Sequence, residues 1–212
     1  MYRADEAEAS GVDWNPRYEW VPLEAISPHL QRAVLIGEDS RFYDHAGFDY
    51  EEIRSAWNRW RGDGRLRGAS TISQQAARSL YLSPSRNAFR KLREAVITLG
   101  MEIILPKDRI LELYLNVAEW GPGIFGVEAA SQTYFSQPAS QVTRAQAALL
   151  AATLPAPRSS NPARPTPGLR RRQRRILDRM ERWDQPPAPA EEPSREPVRR
   201  SAEAIEWPSG DH

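Results

Sequence analysis

The chain has 212 residues, no cysteine and a formal net charge of +1. That length suits one domain with tails. The balanced charge gives no case for a nucleic-acid partner, and the missing cysteines exclude a disulfide framework and thiolate metal sites. Hydrophobic residues make up 40% of the chain, so a core forms only if the polar ends are left out of it. No stretch reaches the roughly 18–20 consecutive apolar residues of a membrane-spanning helix, and no signal-peptide pattern is present.

Residues 1–19 are polar and are expected to be poorly ordered. A short lead-in at 21–26 precedes Ser27-Pro28, which reads as a cap hydroxyl followed by proline at the first helical position. That helix is predicted to reach about Asp39. A second starts at Asp49, where Ile53, Trp57 and Trp60 recur at helical spacing and are expected to pack into the core. Residues 59–68, R-W-R-G-D-G-R-L-R-G, hold three glycines and four arginines and predict a mobile basic loop. It reads either as a plain surface loop or as a lid near an anionic substrate.

Ser70 is expected to cap a helix through Tyr81 that carries Thr71, Gln74, Gln75 and Arg78. The longest helix is predicted over 87–105, with Phe89, Leu92, Val96, Leu99 and Ile103 as its apolar stripe. Glu94 lies off that stripe. Arg90 and Lys91, four and three residues before it, share its face. Pro106 ends this helix, and the next carries Ile110, Leu113, Tyr114 and Val117. Gly121, Gly123 and Gly126 predict a turn before a helix over 127–135. Thr143 and Gln146 make a capping box ahead of an apolar helix. Five prolines in 155–167 predict an extended crossing. In the helix over 168–183, Leu169, Ile176, Leu177, Met180 and Trp183 line one side. Arg170, Arg171, Arg172, Arg174 and Arg175 read as a solvated basic face or as attraction to anionic lipid. From residue 184 onward the chain is rich in Pro, Glu and Arg and is read as disordered. No strong strand pattern and no repeat is found.

The chemistry centres on 34–47, V-L-I-G-E-D-S-R-F-Y-D-H-A-G, where an apolar run breaks at Gly37 and then presents Glu38 and Asp39. A carboxylate at the end of a buried apolar segment is costly to desolvate, so it holds its proton more tightly and can exchange it near neutral pH. The plain alternative is a solvated acidic pair at a helix end. His45 reads as a structural histidine, because three scattered histidines give no metal spacing.

Glu38 opens the first of five ordered blocks: E-D-S-R-F-Y-D-H-A-G (38–47), R-G-A-S-T-I-S-Q-Q (67–75), R-K-L-R-E (90–94), K-D-R-I-L-E-L-Y-L-N (107–116) and G-P-G-I-F-G-V-E-A-A-S-Q-T-Y-F (121–135). In this order and spacing they resemble the peptidoglycan glycosyltransferases of glycosyltransferase family 51, most closely the monofunctional enzymes. The resemblance implies an all-α, lysozyme-like glycosyltransferase domain over 20–183, between a polar segment at 1–19 and a disordered tail at 184–212, both flexible. It implies polymerisation of lipid II into β-1,4 glycan strands with inversion and release of undecaprenyl pyrophosphate.

By the same resemblance Glu38 is the catalytic base and Glu94 the second catalytic glutamate. Ser70, Gln74, Arg78, Arg86, Arg90 and Lys91 are substrate-binding. Arg78 stands where the family carries lysine, and Ser79 where it often carries asparagine. Arginine keeps the charge and adds a bidentate fork for phosphate, but gives up a compact point charge. A Mg²⁺ or Mn²⁺ ion near the pyrophosphate is implied, with its protein ligands unknown, and no organic cofactor. Implied partners are lipid II, the growing glycan, the membrane surface and proteins of cell division or wall synthesis. The implied location is the periplasmic face of the bacterial inner membrane. The family's N-terminal membrane anchor is absent from this sequence, and truncation is the expected reason. Two rival readings remain. One is a lytic enzyme on the same fold, which also uses a cleft glutamate. The other is a catalytically weak scaffold for division proteins.

Overall fold

The computed structural model describes residues 16–63, 70–82 and 88–184. Arg86, the arginines at 65 and 67, and all of the tail expected over 184–212 except Asp184, which closes the last helix, lie outside the described residues. Eight α-helices are described: α1 (Pro28–Glu38), α2 (Tyr50–Asp63), α3 (Ile72–Tyr81), α4 (Ala88–Ile104), α5 (Lys107–Val117), α6 (Val127–Phe135), α7 (Arg144–Ala151) and α8 (Pro167–Asp184). The fold is all-α, as expected, apart from one small sheet.

That sheet corrects the expectation of no strands. β1 (Arg17–Tyr18) runs parallel to β3 (Ile124–Phe125), and β2 (Glu119–Gly121) pairs antiparallel with β3. Strands this short leave no alternation to read in a sequence. They follow from the tight turn at 121–126, where Gly123 and Gly126 take positive φ.

The centre of the core is α7, whose residues Ala147 to Ala151 are all buried. Helix α1 packs on α7 and α8 through Leu30, Ala33, Val34 and Ile36, which lie on one helical face. Helix α3 packs on α4 and α5. The α7 helix opens with the expected capping box of Thr143 and Gln146. Three local expectations change. Ser27 does not cap α1; its hydroxyl donates to the Val142 carbonyl at 2.8 Å and ties α1 to the chain entering α7. Residues 59–63 belong to α2 and not to a loop. Residues 153–160 form successive hydrogen-bonded turns in place of an extended crossing, with Ala156 N–H donating to the Thr153 carbonyl at 2.9 Å.

The largest correction concerns α4, which at 17 residues is also one shorter than α8. Its apolar stripe does not enter the core: Phe89 is 78% exposed and Ile103 84%. The opposite face goes inward, with Glu94 at 1%, Thr98 at 0% and Met101 also buried. Trp57 and Trp60 on α2 are likewise exposed, against each other with ring centroids 4.9 Å apart and planes tilted by 40°. The amphipathic period was legible, but a period does not say which face meets protein and which meets another apolar medium.

Candidate active site

Glu38 is the last residue of α1, where the helix presents its negative end. Asp39 follows as the C-cap, and its carboxylate reaches the start of α3: Oδ2 accepts from the Ile72 backbone N–H at 3.0 Å. One of the unpaired donors at the α3 N-terminus is satisfied in this way. Thr71, not the expected Ser70, is the N-cap of α3 and forms a capping box with Gln74. The Thr71 hydroxyl also donates to the Gly47 carbonyl at 2.7 Å. Gly47 sits at φ +86°, and a Cβ there would come within 2.8 Å of the Thr98 methyl group. The turn after Glu38 is therefore seated directly on α4, and only glycine fits.

Gln75 extends from α3 to Glu38, donating from Nε2 to Oε2 at 2.9 Å. Its Oε1 accepts from the Tyr114 hydroxyl on α5 at 3.3 Å. Glu38, Asp39, Ser40, Asp49, Ser70 and Arg179 are among the residues lining a cleft of about 210 Å³. Burial pushes the Glu38 carboxyl above its ordinary value. The Gln75 hydrogen bond and the positive charges of Arg172 and Arg78 oppose that rise, and Asp39 adds to it. The result is a half-buried carboxyl that takes a proton more readily than a free one, in a cleft flanked by arginines.

Behind the cleft a second cluster joins the same blocks. Lys107 Nζ pairs with Glu102 at 2.9 Å and lies 4.4 Å from the Phe42 ring centroid. Glu102 also accepts from the Ser73 hydroxyl. These contacts lock the 38–47 turn, α3, α4 and α5 together without entering the cleft.

Of the residues singled out from the sequence, Glu38 and Ser70 line the cleft. Arg78 acts on Glu38 through its charge. Gln74 is buried and its amide oxygen accepts from the Thr71 N–H, so it serves the cap of α3. Glu94 pairs with Arg90 at 3.2 Å and with Lys91, a cluster of its own on α4. Arg86 lies outside the described residues. Sequence reading did not single out Gln75 as a site residue, its neighbour Gln74 being chemically identical, and it placed Tyr114 in packing and Arg172 on a basic face open to solvent or anionic lipid. Only the phase of α3, set by the Thr71 cap, tells the two glutamines apart.

The implied divalent cation can be tested against these residues. Among the described residues, Asp39, His45 and Asp49 bring one ligand atom each within 4.8 Å of one another. Their side chains also make contacts that hold the fold. His45 Nε2 lies 3.1 Å from Asp39 Oδ1, and its Nδ1 is buried without a hydrogen-bond partner among the described residues. Asp39 Oδ2 takes the Ile72 N–H, and Asp49 Oδ1 takes the Glu52 N–H at 2.9 Å. Glu94 is held by two cations. These contacts give each carboxylate a structural task, and a cation would have only the lone pairs they leave.

A family model described as Transglycosylase matches residues 6–181. The chain is 50% identical over 165 residues to a biosynthetic peptidoglycan transglycosylase of Nitrosospira multiformis, covering 77% of this chain and 72% of the relative. A protein of the same description from Rhodospirillum centenum is 49% identical over 172 residues, 81% of this chain and 73% of that one. Another, from Aromatoleum aromaticum, is 52% identical over 157 residues, 74% and 68% of the two chains. With the lysozyme-like helical fold, the ordered sequence blocks and a matched length of this extent, the chain belongs to the transglycosylase family.

Proposed function

We propose that this chain is a peptidoglycan glycosyltransferase that polymerises lipid II, with Glu38 as the general base. In the proposed step the 4-hydroxyl oxygen of an acceptor sugar attacks the anomeric carbon of a lipid-linked donor. The hydroxyl proton passes to Glu38, the bond from the anomeric carbon to pyrophosphate breaks, and undecaprenyl pyrophosphate leaves with the bonding pair. Attack from the opposite face turns an α-linked donor into a β-1,4 glycan. The observation that carries the assignment is the Glu38 carboxyl, raised by burial yet fastened by Gln75, in a cleft under the influence of Arg78 and Arg172. A base works best when its proton affinity is near the working pH, and fixed cations suit a departing pyrophosphate.

The cleft is smaller than the roughly 300–1,000 Å³ of pockets that enclose a whole ligand. It suits the reacting sugar ring, with the remaining lipid-linked chain lying along the open surface. Arg90 and Lys91, oriented by Glu94, are proposed to add positive charge on the α4 side, and Glu94 acts through them. A divalent cation is proposed as a companion of the substrate's phosphates, which are its hard oxygen ligands.

The working location follows from the lipid on the substrate. No helix among the described residues is long and apolar enough to cross a membrane. The exposed stripe of α4, with Tyr50, Ile53, Trp57 and Trp60 on α2, supports shallow seating on the outer leaflet of the inner membrane. Aromatic side chains favour the headgroup level.

The test is polymerisation of purified lipid II by the wild-type chain and by Glu38→Gln, with products resolved as glycan ladders on a gel. Ladders from the first and none from the second are expected. Ladders of equal intensity from both would remove Glu38 as the base. No ladder from a folded wild-type chain supplied with a lipid surface would favour the scaffold reading.

A further inference from the structure

Tyr114 is 1% exposed and sits on α5, across α3 from the cleft. Its hydroxyl has one hydrogen-bond partner among the described residues, Gln75 Oε1 at 3.3 Å. The other end of the same amide, Nε2, donates to Glu38 Oε2 at 2.9 Å. The direction of this relay follows from what each group can do. An ionised carboxylate only accepts, so Gln75 must turn its NH₂ toward Glu38 and its oxygen toward Tyr114. Tyr114 must then donate. Were the amide to flip, its NH₂ would face the phenol oxygen and the hydroxyl hydrogen would be left buried without an acceptor, which is costly. The flipped amide would also point a carbonyl oxygen at Glu38, an arrangement that suits only the protonated acid.

We propose that Tyr114 is a positioning residue for the reaction: through Gln75 it holds the amide in the orientation that favours ionised Glu38. The inference rests on the assignment of Glu38 as the base. Tyr114 touches neither the cleft nor the reacting atoms, and acts by removing a freedom that Gln75 would otherwise have. Without the hydroxyl, the amide can follow the protonation state of Glu38, flipping once the acid is protonated. Burial and the negative charge of Glu38 hold the Tyr114 phenol well above its ordinary value, so it remains a neutral donor at every working pH. The other charged groups facing Glu38 are Arg78 from α3, Arg172 from α8 and Asp39 beside it, with Asp49, Glu52 and Arg179 on the cleft wall. All remain in a tyrosine variant, so any change is read against a constant background.

The experiment is the pH dependence of lipid II polymerisation by wild type, Tyr114→Phe, Gln75→Met and the double variant, each checked for folding by circular dichroism. Tyr114→Phe is expected to move the acid limb of kcat upward by about 0.5–1 pH unit, a loss of roughly threefold to tenfold on that limb, with KM unchanged. Gln75→Met should move it at least as far, because the bond to Glu38 goes as well. Adding Tyr114→Phe to Gln75→Met should move it no further, since nothing is left to orient. A uniform fall in kcat with the acid limb in place would overturn the proposal and make Tyr114 a packing residue. So would an equal shift from Tyr114→Phe in the Gln75→Met background. The base assignment fails separately: it fails if Glu38→Gln retains wild-type activity, whatever the tyrosine variants do.

Discussion

Replacing Leu92, Val96 and Ile103 by glutamine separates the two roles an apolar helical stripe can have. Glutamine is a good helix former, so α4 keeps its propensity. The three side chains are 63%, 63% and 84% exposed. Complete burial of a side chain of this kind is worth about 1.5–3 kcal/mol. Scaled by exposure, seating each in lipid is worth about 1–2 kcal/mol, and the three together roughly 3–6 kcal/mol. Since about 1.4 kcal/mol is tenfold in binding, the triple variant should bind vesicles of phosphatidylethanolamine and phosphatidylglycerol at least about a hundredfold more weakly in flotation. Its unfolding free energy without lipid should change by no more than about 0.5 kcal/mol per site. Had the stripe been core, each replacement would cost about 2–5 kcal/mol. Collapse of the fold in urea titration, or vesicle binding equal to wild type, would refute the reasoning.

Glu38→Gln should be more stable than the wild type at neutral pH. The folded chain holds the Glu38 proton more tightly than the unfolded chain does. As pH rises through the ordinary carboxylate range, the unfolded state therefore releases its proton first and the fold is penalised. Glutamine removes that penalty, so the gain should be present at pH 7 and vanish below the ordinary carboxylate range; thermal melts at both ends check it, and a less stable variant at pH 7 would contradict it. Gly47→Ala should destabilise by at least about 1 kcal/mol, from the positive φ alone, with the 2.8 Å approach to Thr98 adding to it. An unchanged urea midpoint would mean that the turn is not seated on α4 as described. Thr71→Ala should cost about 1–2 kcal/mol through the lost cap, and Thr71→Ser should recover most of it, because serine restores both the cap and the bond to Gly47.

The helices were legible because their signals are local. Pro28 at a first helical position, the Thr143–Gln146 capping box and Pro106 after α4 each act within one or two turns. The position of Glu38 at the end of an apolar helix was legible for the same reason, and with it the expectation of a carboxyl shifted by burial. The two-residue strands were not legible, because two residues carry no period. Nor was the choice between Gln74 and Gln75, which depends on the phase of α3 and not on composition.

The sequence by itself determined where most α-helices form, which carboxylate ends an apolar helix and which family the ordered blocks resemble. Each of these depends on neighbours in the chain or on residue types in a fixed order. Only the tertiary structure decided that α4 turns Glu94 and Thr98 inward and its apolar stripe outward. Only it joined Tyr114 to Glu38 through Gln75, across residues 76 positions apart in the chain (114 − 38). A helical period states that two faces exist. Which face is buried, and which side chains from distant segments meet, depends on the packing of whole helices against one another.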